Sequence, residues 1–201
     1  MPQRWRIVIG SDEAGLAYKD ALKADLKAEQ GVADVYDLGV QHDQQAKFID
    51  VPTAAAITVT EGRADRALLI CGSGLSAALG ANKVSGIRAV TAFDSPSVER
   101  SVLDNDAQVL CFGHQIISLP MARRLAREWL DYRFDNRAAH NVTLFARREN
   151  KPIQWSRQAI LNPTKRRAFN AESEQQLGQY GIVRDIQSLR AVVFDLGGAS
   201  A

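Results

Sequence analysis

A doubly wound parallel β-sheet with helices on both faces is the fold class that the sequence predicts, and three observations support it. Strand-length apolar runs alternate with stretches of helical periodicity five times between residues 5 and 134. The run RALLIC at 66–71 is apolar after its first residue, as expected of a strand that is covered on both faces. Polar or glycine-containing turns follow the strands, namely GSDEAG, GVQHD, CGSGLS, FDSPS and FGHQ. Ligands of such sheets bind beyond the carboxyl ends of the strands, so a site is expected at these turns.

The first three strands and their helices have clear local signals. The strand at 5–10 is rich in β-branched residues, and leucines recur at helical spacing in the segment that follows it. The strand at 32–39 ends in glycine, and a glycine also follows the apolar helix at 52–60. The strand at 66–71 leads through a glycine-rich turn into a helix at 75–83.

The last two strands continue the alternation. The strand at 87–92 precedes a helix at 95–104, whose N-cap we predict to be Ser95 because a proline follows it. The strand at 107–113 precedes a strongly amphipathic helix at 118–134.

The chain changes character after about residue 145. It becomes polar, charged and interrupted by proline before it closes with the apolar LRAVVFDLGG. We therefore predict a domain at 1–145 and an extension at 146–201 that packs on this domain or on a partner subunit. A flexible tail is the alternative, although Trp155, Phe169 and Phe194 argue against complete disorder.

Composition excludes several classes of protein. The net charge of +2 over 201 residues gives no general attraction to nucleic acid or to a membrane surface. No apolar run approaches the roughly 20 residues that a membrane-spanning helix requires, and the N-terminus is too soon polar to be a signal peptide. Two cysteines do not make a secreted disulfide framework. The sequence therefore predicts a cytoplasmic protein.

A cysteine stands where the third strand meets its turn. Cys71 ends the apolar run, and Gly72 and Gly74 follow before the next helix. One interpretation is that Cys71 simply fills core space, because cysteine is among the most buried residue types. A thiol beside free backbone amides at the start of a helix is alternatively favoured as a thiolate, which can act as a base or nucleophile next to an anion site.

Three chemistries could use such a turn. A cysteine phosphatase would need an arginine six residues after the cysteine, where Ala77 stands. A dinucleotide site would match its glycine fingerprint to Gly72, Gly74 and Ala77, with Asp94 as the ribose contact, although two strand–helix units precede this one. In the third chemistry, a thiolate removes a proton next to a carbonyl and the amides stabilise the enediolate oxygen.

Five segments in order resemble one enzyme family: GSDEAG, DLG, GRADRALLICGSGLSAALGANKVSGIRAV, DNDAQVLCFG and EWLDYRFD. They are similar to the type-B ribose-5-phosphate and galactose-6-phosphate isomerases over about residues 5–145. The resemblance implies a flavodoxin-like (Rossmann-like) three-layer sandwich. It also implies a homodimer or higher oligomer with composite active sites, and aldose–ketose isomerisation of a phosphosugar without cofactor or metal.

The resemblance assigns roles around the cysteine turn. Cys71 matches the base that moves a proton between C1 and C2 of the sugar. Gly72, Ser73 and Gly74 match the loop whose amides hold the developing oxyanion, and Ser76 adds a hydroxyl where the family usually has glycine.

Further residues match substrate contacts of the family. Asp12 corresponds to an aspartate that binds substrate hydroxyls, and Asn105 to an asparagine that holds the carbonyl end. Arg137 corresponds to a phosphate-binding arginine, with His140 and His114 as additional candidates for the phosphate.

Departures from the family pattern point to the substrate. Glu13 and Asp104 stand where the family has histidines, and we place Asp104 among the catalytic positions and Glu13 among the binding positions. Phe48 replaces a tyrosine, and Gln115 replaces an arginine. Since the second histidine assists opening of the sugar ring, its loss favours a short open-chain substrate, such as a tetrulose phosphate, over ribose 5-phosphate.

Each of these residues also has a structural alternative. Asp12 could cap the next helix, and Glu13 and Asp104 could be solvated carboxylates. His114 and His140 could be ordinary loop residues. The whole protein could be a partner subunit that binds a phosphosugar without converting it, and a nicotinamide-dependent dehydrogenase is the more distant alternative.

Overall fold

The computed structural model describes residues 4–38 and 50–149. The elements along the chain are β1 (Trp5–Ser11), α1 (Leu16–Ala28), β2 (Val32–Asp37), α2 (Asp50–Thr60), β3 (Arg66–Cys71), α3 (Leu75–Ala81), β4 (Ala89–Thr91), α4 (Ser95–Leu103), β5 (Val109–Gly113), α5 (Leu119–Asp131) and α6 (Ala139–Glu149). No helix in these ranges is both long and apolar enough to cross a lipid bilayer.

The predicted sheet is confirmed. Its strands have the order β2-β1-β3-β5-β4, and every neighbouring pair is parallel. The last two strands are exchanged relative to the flavodoxin order 2-1-3-4-5. Central strand β3 is buried along its whole length, as its apolar sequence predicts.

The two faces of the sheet carry different cores. On one face, large side chains of α1, α4 and α5 pack against the sheet, including Leu22, Val98 and Trp129. On the other face, the helices α2 and α3 contribute mainly alanines. Side chains alternate along β3, so Cys71 lies in the alanine-lined core. The thiol is therefore on the face whose helices contribute small side chains.

Two local predictions differ from the structure. Ser95 is the first residue of α4, and the N-cap is Asp94, whose Oδ1 accepts a hydrogen bond of 2.7 Å from the Ser97 amide. That hydrogen bond lowers the pKa of Asp94. A carboxylate is the stronger cap here because its charge also interacts favourably with the helix dipole. Helix α6 was not predicted, and it runs across residue 145. The division into a domain at 1–145 and an extension at 146–201 stays a prediction.

Candidate active site

The thiol of Cys71 accepts a hydrogen bond from the loop that follows it. Cys71 is the last residue of β3 and is 8% exposed. Its Sγ accepts a hydrogen bond of 3.0 Å from the amide of Gly74. Gly74 has a φ of +81°, in the left-handed region that favours glycine. The loop thus turns a backbone donor toward the sulfur, an arrangement that stabilises negative charge there.

The turn after β5 is hydrogen-bonded to the backbone of this loop. The amides of His114 and Gln115 donate to the carbonyl oxygens of Cys71 and Gly72, at 3.0 and 3.1 Å. A Cβ on Gly113 would lie only 2.5 Å from the carbonyl carbon of Ser73. The two backbones therefore touch, and the FGHQ turn fixes the position of the CGSG turn.

A cleft at the end of the sheet joins Cys71 to Asp12. Its walls come from the ends of β1 and β3 and from α2 and α3. The lining residues are Gly10, Ser11, Asp12, Val51, Pro52, Leu69, Ile70, Cys71 and Ala77. It lies between β1 and β3, where the order of the strands reverses and ligands of such sheets bind.

Asp12 also has the structural role proposed as its alternative. Its Oδ1 accepts a hydrogen bond of 2.8 Å from the Gly15 amide and so closes the turn before α1. Glu13 is exposed beside it. Among the described residues that line the cleft there is no lysine or arginine. Cations for a phosphate must therefore come from elsewhere.

Of three further side chains, sequence reasoning named His114 as a phosphate candidate, whereas Ser11 and Tyr18 carry no sequence signal that would have identified them. The ring of His114 lies edge-on to Tyr18, with 5.9 Å between the centroids, and its Nε2 is buried without a hydrogen-bond partner. Ser11, which lines the cleft, has a hydroxyl in the same condition. Tyr18 donates to the carbonyl of Ile117.

The second cysteine lies in the core, as predicted. Cys111 is fully buried on β5. Burial, together with the nearby Cys71, raises the pKa of the Cys111 thiol well above its usual value. Cys111 is therefore held as a neutral thiol in the core.

The other predicted residues lie at the opposite end of the sheet. We call the end where the strands begin the amino edge, and the end that holds Cys71 the carboxyl edge. Asn105 precedes β5, and its carbonyl accepts a hydrogen bond of 2.6 Å from Nε of Arg88, just before β4. The carbonyl of Asp104 accepts one of 3.1 Å from Nδ2 of Asn141. These contacts place Asp104 and Asn105 at the amino edge.

The phosphate candidates Arg137 and His140 belong to this edge too. They follow α5, whose end is held by Arg66 at the start of β3 through a hydrogen bond of 2.7 Å to the Tyr132 carbonyl. Arg137 and His140 are exposed, and the guanidinium of Arg137 pairs with Asp135. The carboxylate of Asp104 lies 3.4 Å from Arg100.

One chain does not bring the two groups of residues together. Cys71 is opposite Gly113 at the end of β5, whereas Asn105 precedes the start of that strand. The length of β5 alone separates them by about 13 Å, at roughly 3.3 Å per residue. The thiol of Cys71 and the carboxylate of Asp12 lie at the carboxyl edge. Asn105, Arg137 and His140 lie at the amino edge.

Fold and loop together define a class: an α/β metabolite-binding protein with its site at the switch point of a parallel sheet. The sequence profile described as Ribose/Galactose Isomerase matches residues 7–144. D-erythrulose-4-phosphate isomerase 2 of Mycolicibacterium smegmatis is 55% identical over 135 residues, which cover 67% of this chain and 89% of that protein. Ribose-5-phosphate isomerase B of Escherichia coli is 32% identical over 130 residues, covering 65% and 86%.

A solved structure agrees with the sequence relatives. Ribose-5-phosphate isomerase B of Clostridium thermocellum superposes with a TM-score of 0.67 at 33% identity, over 72% of this chain and 97% of that one. The chain belongs to the ribose/galactose isomerase family. It is an isomerase, which confirms the predicted reaction class and favours proton transfer over the dinucleotide interpretation of the glycine-rich turn.

Proposed function

We propose that the protein interconverts an aldose and a ketose phosphate of four carbons through a cis-enediolate, with Cys71 as the base. The observation that carries this proposal is the Sγ of Cys71, held at 3.0 Å from the Gly74 amide and sharing a cleft with Asp12. The name of the Mycolicibacterium relative supports the substrate. With its terminal oxygen phosphorylated, such a sugar cannot close a furanose ring, so a histidine at position 104 is not required.

The proposed reaction moves one proton between neighbouring carbons. The thiolate of Cys71 takes a proton from the carbon beside the carbonyl and returns it to the former carbonyl carbon, while the proton of the neighbouring hydroxyl passes to the former carbonyl oxygen. The amide of Gly74 donates to the thiolate, the amides of Gly72 and Ser73 stabilise the negative oxygen of the enediolate, and Asp12 binds a hydroxyl of the substrate. Preorganised amides stabilise such an oxygen strongly because they need not reorient during the reaction.

We also propose that the active site is completed by a second copy of this chain. The carboxyl edge has the base and the amides but, among the described lining residues, no cation. The amino edge has Asn105, Arg137 and His140 but no thiol. In a symmetric dimer, the amino edge of one copy can reach the carboxyl edge of the other.

Exposed apolar side chains around the cysteine loop support such a dimer. Leu75 and Leu79 lie one turn apart on α3 and are 55% and 65% exposed. Ile116 is 54% exposed in the turn after β5, and Phe93 is 41% exposed after β4. Large apolar side chains that surround a site favour burial by a partner.

We place the enzyme in the cytoplasm, because a reduced thiol persists there.

A partner subunit without activity is the second candidate. Gln115 favours it, because this residue stands where the resemblance implies an arginine. Its side-chain oxygen lies beside the cysteine loop, 3.5 Å from the position of a Cβ on Gly72. The loss of that charge would weaken phosphate binding, although it leaves the thiol and the amides in place.

Deuterium exchange tests the proposal directly. The wild-type protein is incubated in D₂O with erythrose 4-phosphate, the erythrulose phosphates, ribose 5-phosphate and ribulose 5-phosphate, and products are followed by NMR. We expect deuterium at the carbon beside the carbonyl of the four-carbon compounds, lost in Cys71→Ala and retained in the matched control Cys111→Ala. Exchange with no compound would support the binding subunit, and equal turnover of ribose 5-phosphate would contradict the ring-opening argument.

A further inference from the structure

Thr91 contacts the glycine that donates to the catalytic thiol. Thr91 is the last residue of β4 and is half-buried. Its Oγ1 donates a hydrogen bond of 3.0 Å to the carbonyl of Gly74. Its Cγ2 would lie 2.7 Å from a Cβ built on Gly74, so the methyl packs directly on that glycine. Both branches of one threonine therefore rest on a single residue of the cysteine loop.

The conformation of Gly74 determines where its amide points. Gly74 is left-handed, with a φ of +81°, and its N–H is directed at the Sγ of Cys71. The backbone of Phe112 and Gly113 closes the same side of the glycine, at 3.0 and 3.1 Å from the position of that Cβ. A rotation of this residue would turn the amide away from the sulfur, and Thr91 is the side chain that opposes such a rotation.

The hydroxyl of Thr91 is not needed to satisfy the carbonyl that it contacts. The oxygen of Gly74 already accepts a hydrogen bond of 3.2 Å from the amide of Ala78, in the first turn of α3. Removing the hydroxyl therefore leaves no buried acceptor without a partner, and the cost in folding stability is small. Thr91 is also absent from the residues that line the cleft.

We propose that Thr91 is a positioning residue for Cys71, which acts through Gly74 to keep a backbone amide on the thiolate. The inference rests on the proposed function for its effect on turnover, but its effect on the thiol is independent of any substrate. It requires that the hydroxyl of Thr91 controls the reactivity of Cys71 without contacting either the sulfur or the sugar.

The experiment measures the reactivity of Cys71 and the turnover of the substrate in the same variants of the full chain. Thr91→Val keeps the methyl and removes the hydroxyl, and Thr91→Ser keeps the hydroxyl and removes the methyl. Thr91→Ala removes both groups that contact Gly74. Thr60→Val is the matched control, because Thr60 donates to the Ile57 carbonyl at 3.0 Å on an exposed helix turn. Iodoacetamide, which alkylates thiolates with loss of iodide, reports on Cys71, and mass spectrometry distinguishes it from the buried Cys111.

We expect Thr91→Val to slow alkylation of Cys71 and to lower kcat by about threefold to tenfold each, the range that one net hydrogen bond corresponds to. KM is expected to stay within about twofold, since the threonine does not line the cleft. Thr91→Ser and Thr60→Val should stay within about twofold of wild type in all three quantities. Thr91→Ala should lose at least as much as Thr91→Val, and it provides the test if the valine variant fails to fold.

Two results would overturn the inference. One is a Thr91→Val protein with the wild-type alkylation rate. The other is a Thr91→Ser protein that loses as much as Thr91→Val, because packing alone would then explain the contact. Slower alkylation with unchanged kcat would support the positioning of the thiol and would contradict Cys71 as the base.

Discussion

The two edges of the sheet are built by different means. At the carboxyl edge, loops meet through backbone at glycines, and a Cβ on Gly74 or Gly113 would lie within 3 Å of a neighbouring residue. At the amino edge, arginines near the starts of the strands hold the loops: Arg6 binds the Asp65 carboxylate, Arg66 the C-terminal end of α5 and Arg88 the carbonyls of 105 and 106.

The difference follows from what each edge has to present. Direct backbone contacts leave an amide little room to shift or turn. A loop that stabilises an oxyanion needs its amides held in fixed directions. Long side chains instead bridge wider gaps, and their guanidinium groups can donate to several carbonyls at once. The carboxyl edge therefore holds its amides in fixed directions, whereas the amino edge exposes polar side chains such as Arg137 and His140.

The largest expected effect concerns whether the two edges meet in one site. Cys71→Ala and Asn105→Ala should each lower turnover by about 100-fold or more. An equal mixture, refolded together, should recover about a quarter of the wild-type activity, because half of the dimers are mixed and each has one intact site of two. Turnover of the tetrose phosphates measures the recovery.

The control mixes two variants of the same edge. Cys71→Ala and Asp12→Ala should not complement each other, because every site of a mixed dimer keeps one defect. Recovery in both mixtures, or in neither, would contradict a site shared between the two edges of different copies.

Much of the carboxyl edge could be predicted from sequence. The apolar strand, Cys71 and the glycines after it are contiguous, so their local order already indicates an amide loop. The position of Asn105 at the other edge could also have been deduced, because it precedes the fifth strand while Cys71 ends the third. The family resemblance groups them in one site, and only the topology separates them.

Other features lie beyond local sequence signals. The exchange of β4 and β5 depends on which neighbouring strand each pairs with, and that is decided by contacts between residues far apart in the chain. Helix α6 leaves Leu144 and Phe145 more than 40% exposed, so its periodicity does not describe a buried face. The contact of Thr91 with Gly74 joins residues 17 positions apart, and no spacing rule predicts it.

A glycine substitution tests how closely the carboxyl edge is packed. Gly113→Ala would drive a methyl into the backbone of Ser73, at 2.5 Å, where no flexible side chain can yield. We expect the free energy of unfolding to fall by about 3 kcal/mol, together with a loss of activity because the cysteine loop is displaced. Urea denaturation and turnover assays measure the two effects.

Gly31→Ala is the matched control at the other edge. A Cβ on Gly31 meets no atom within 4 Å, so the change in stability should stay within about 0.5 kcal/mol. A Gly113→Ala protein as stable and active as the control would mean that the loop tolerates displacement, and the contrast between the edges would lose its physical basis.

The smallest effect that we expect is at the amino edge, where the stability contributed by Asp65 depends on pH. Asp65 accepts hydrogen bonds from the backbone and the guanidinium of Arg6, and the guanidinium bond is the main cause that lowers the pKa of the carboxyl. A lowered pKa in the folded state means that the contribution is complete above the unfolded value of about 3.9 and is lost as pH falls through the folded value.

Asp65→Asn should therefore destabilise the protein by about 1 kcal/mol at pH 7, a modest amount because the Arg6 side chain is 42% exposed. The difference from wild type should shrink as pH falls below about 4. Glu61→Gln is the control, since its pair with Arg63 is more than half exposed on both sides and should contribute almost nothing. Urea denaturation between pH 3 and pH 7 measures both variants, and a difference for Asp65→Asn that persists at pH 3 would locate its effect in packing rather than in charge.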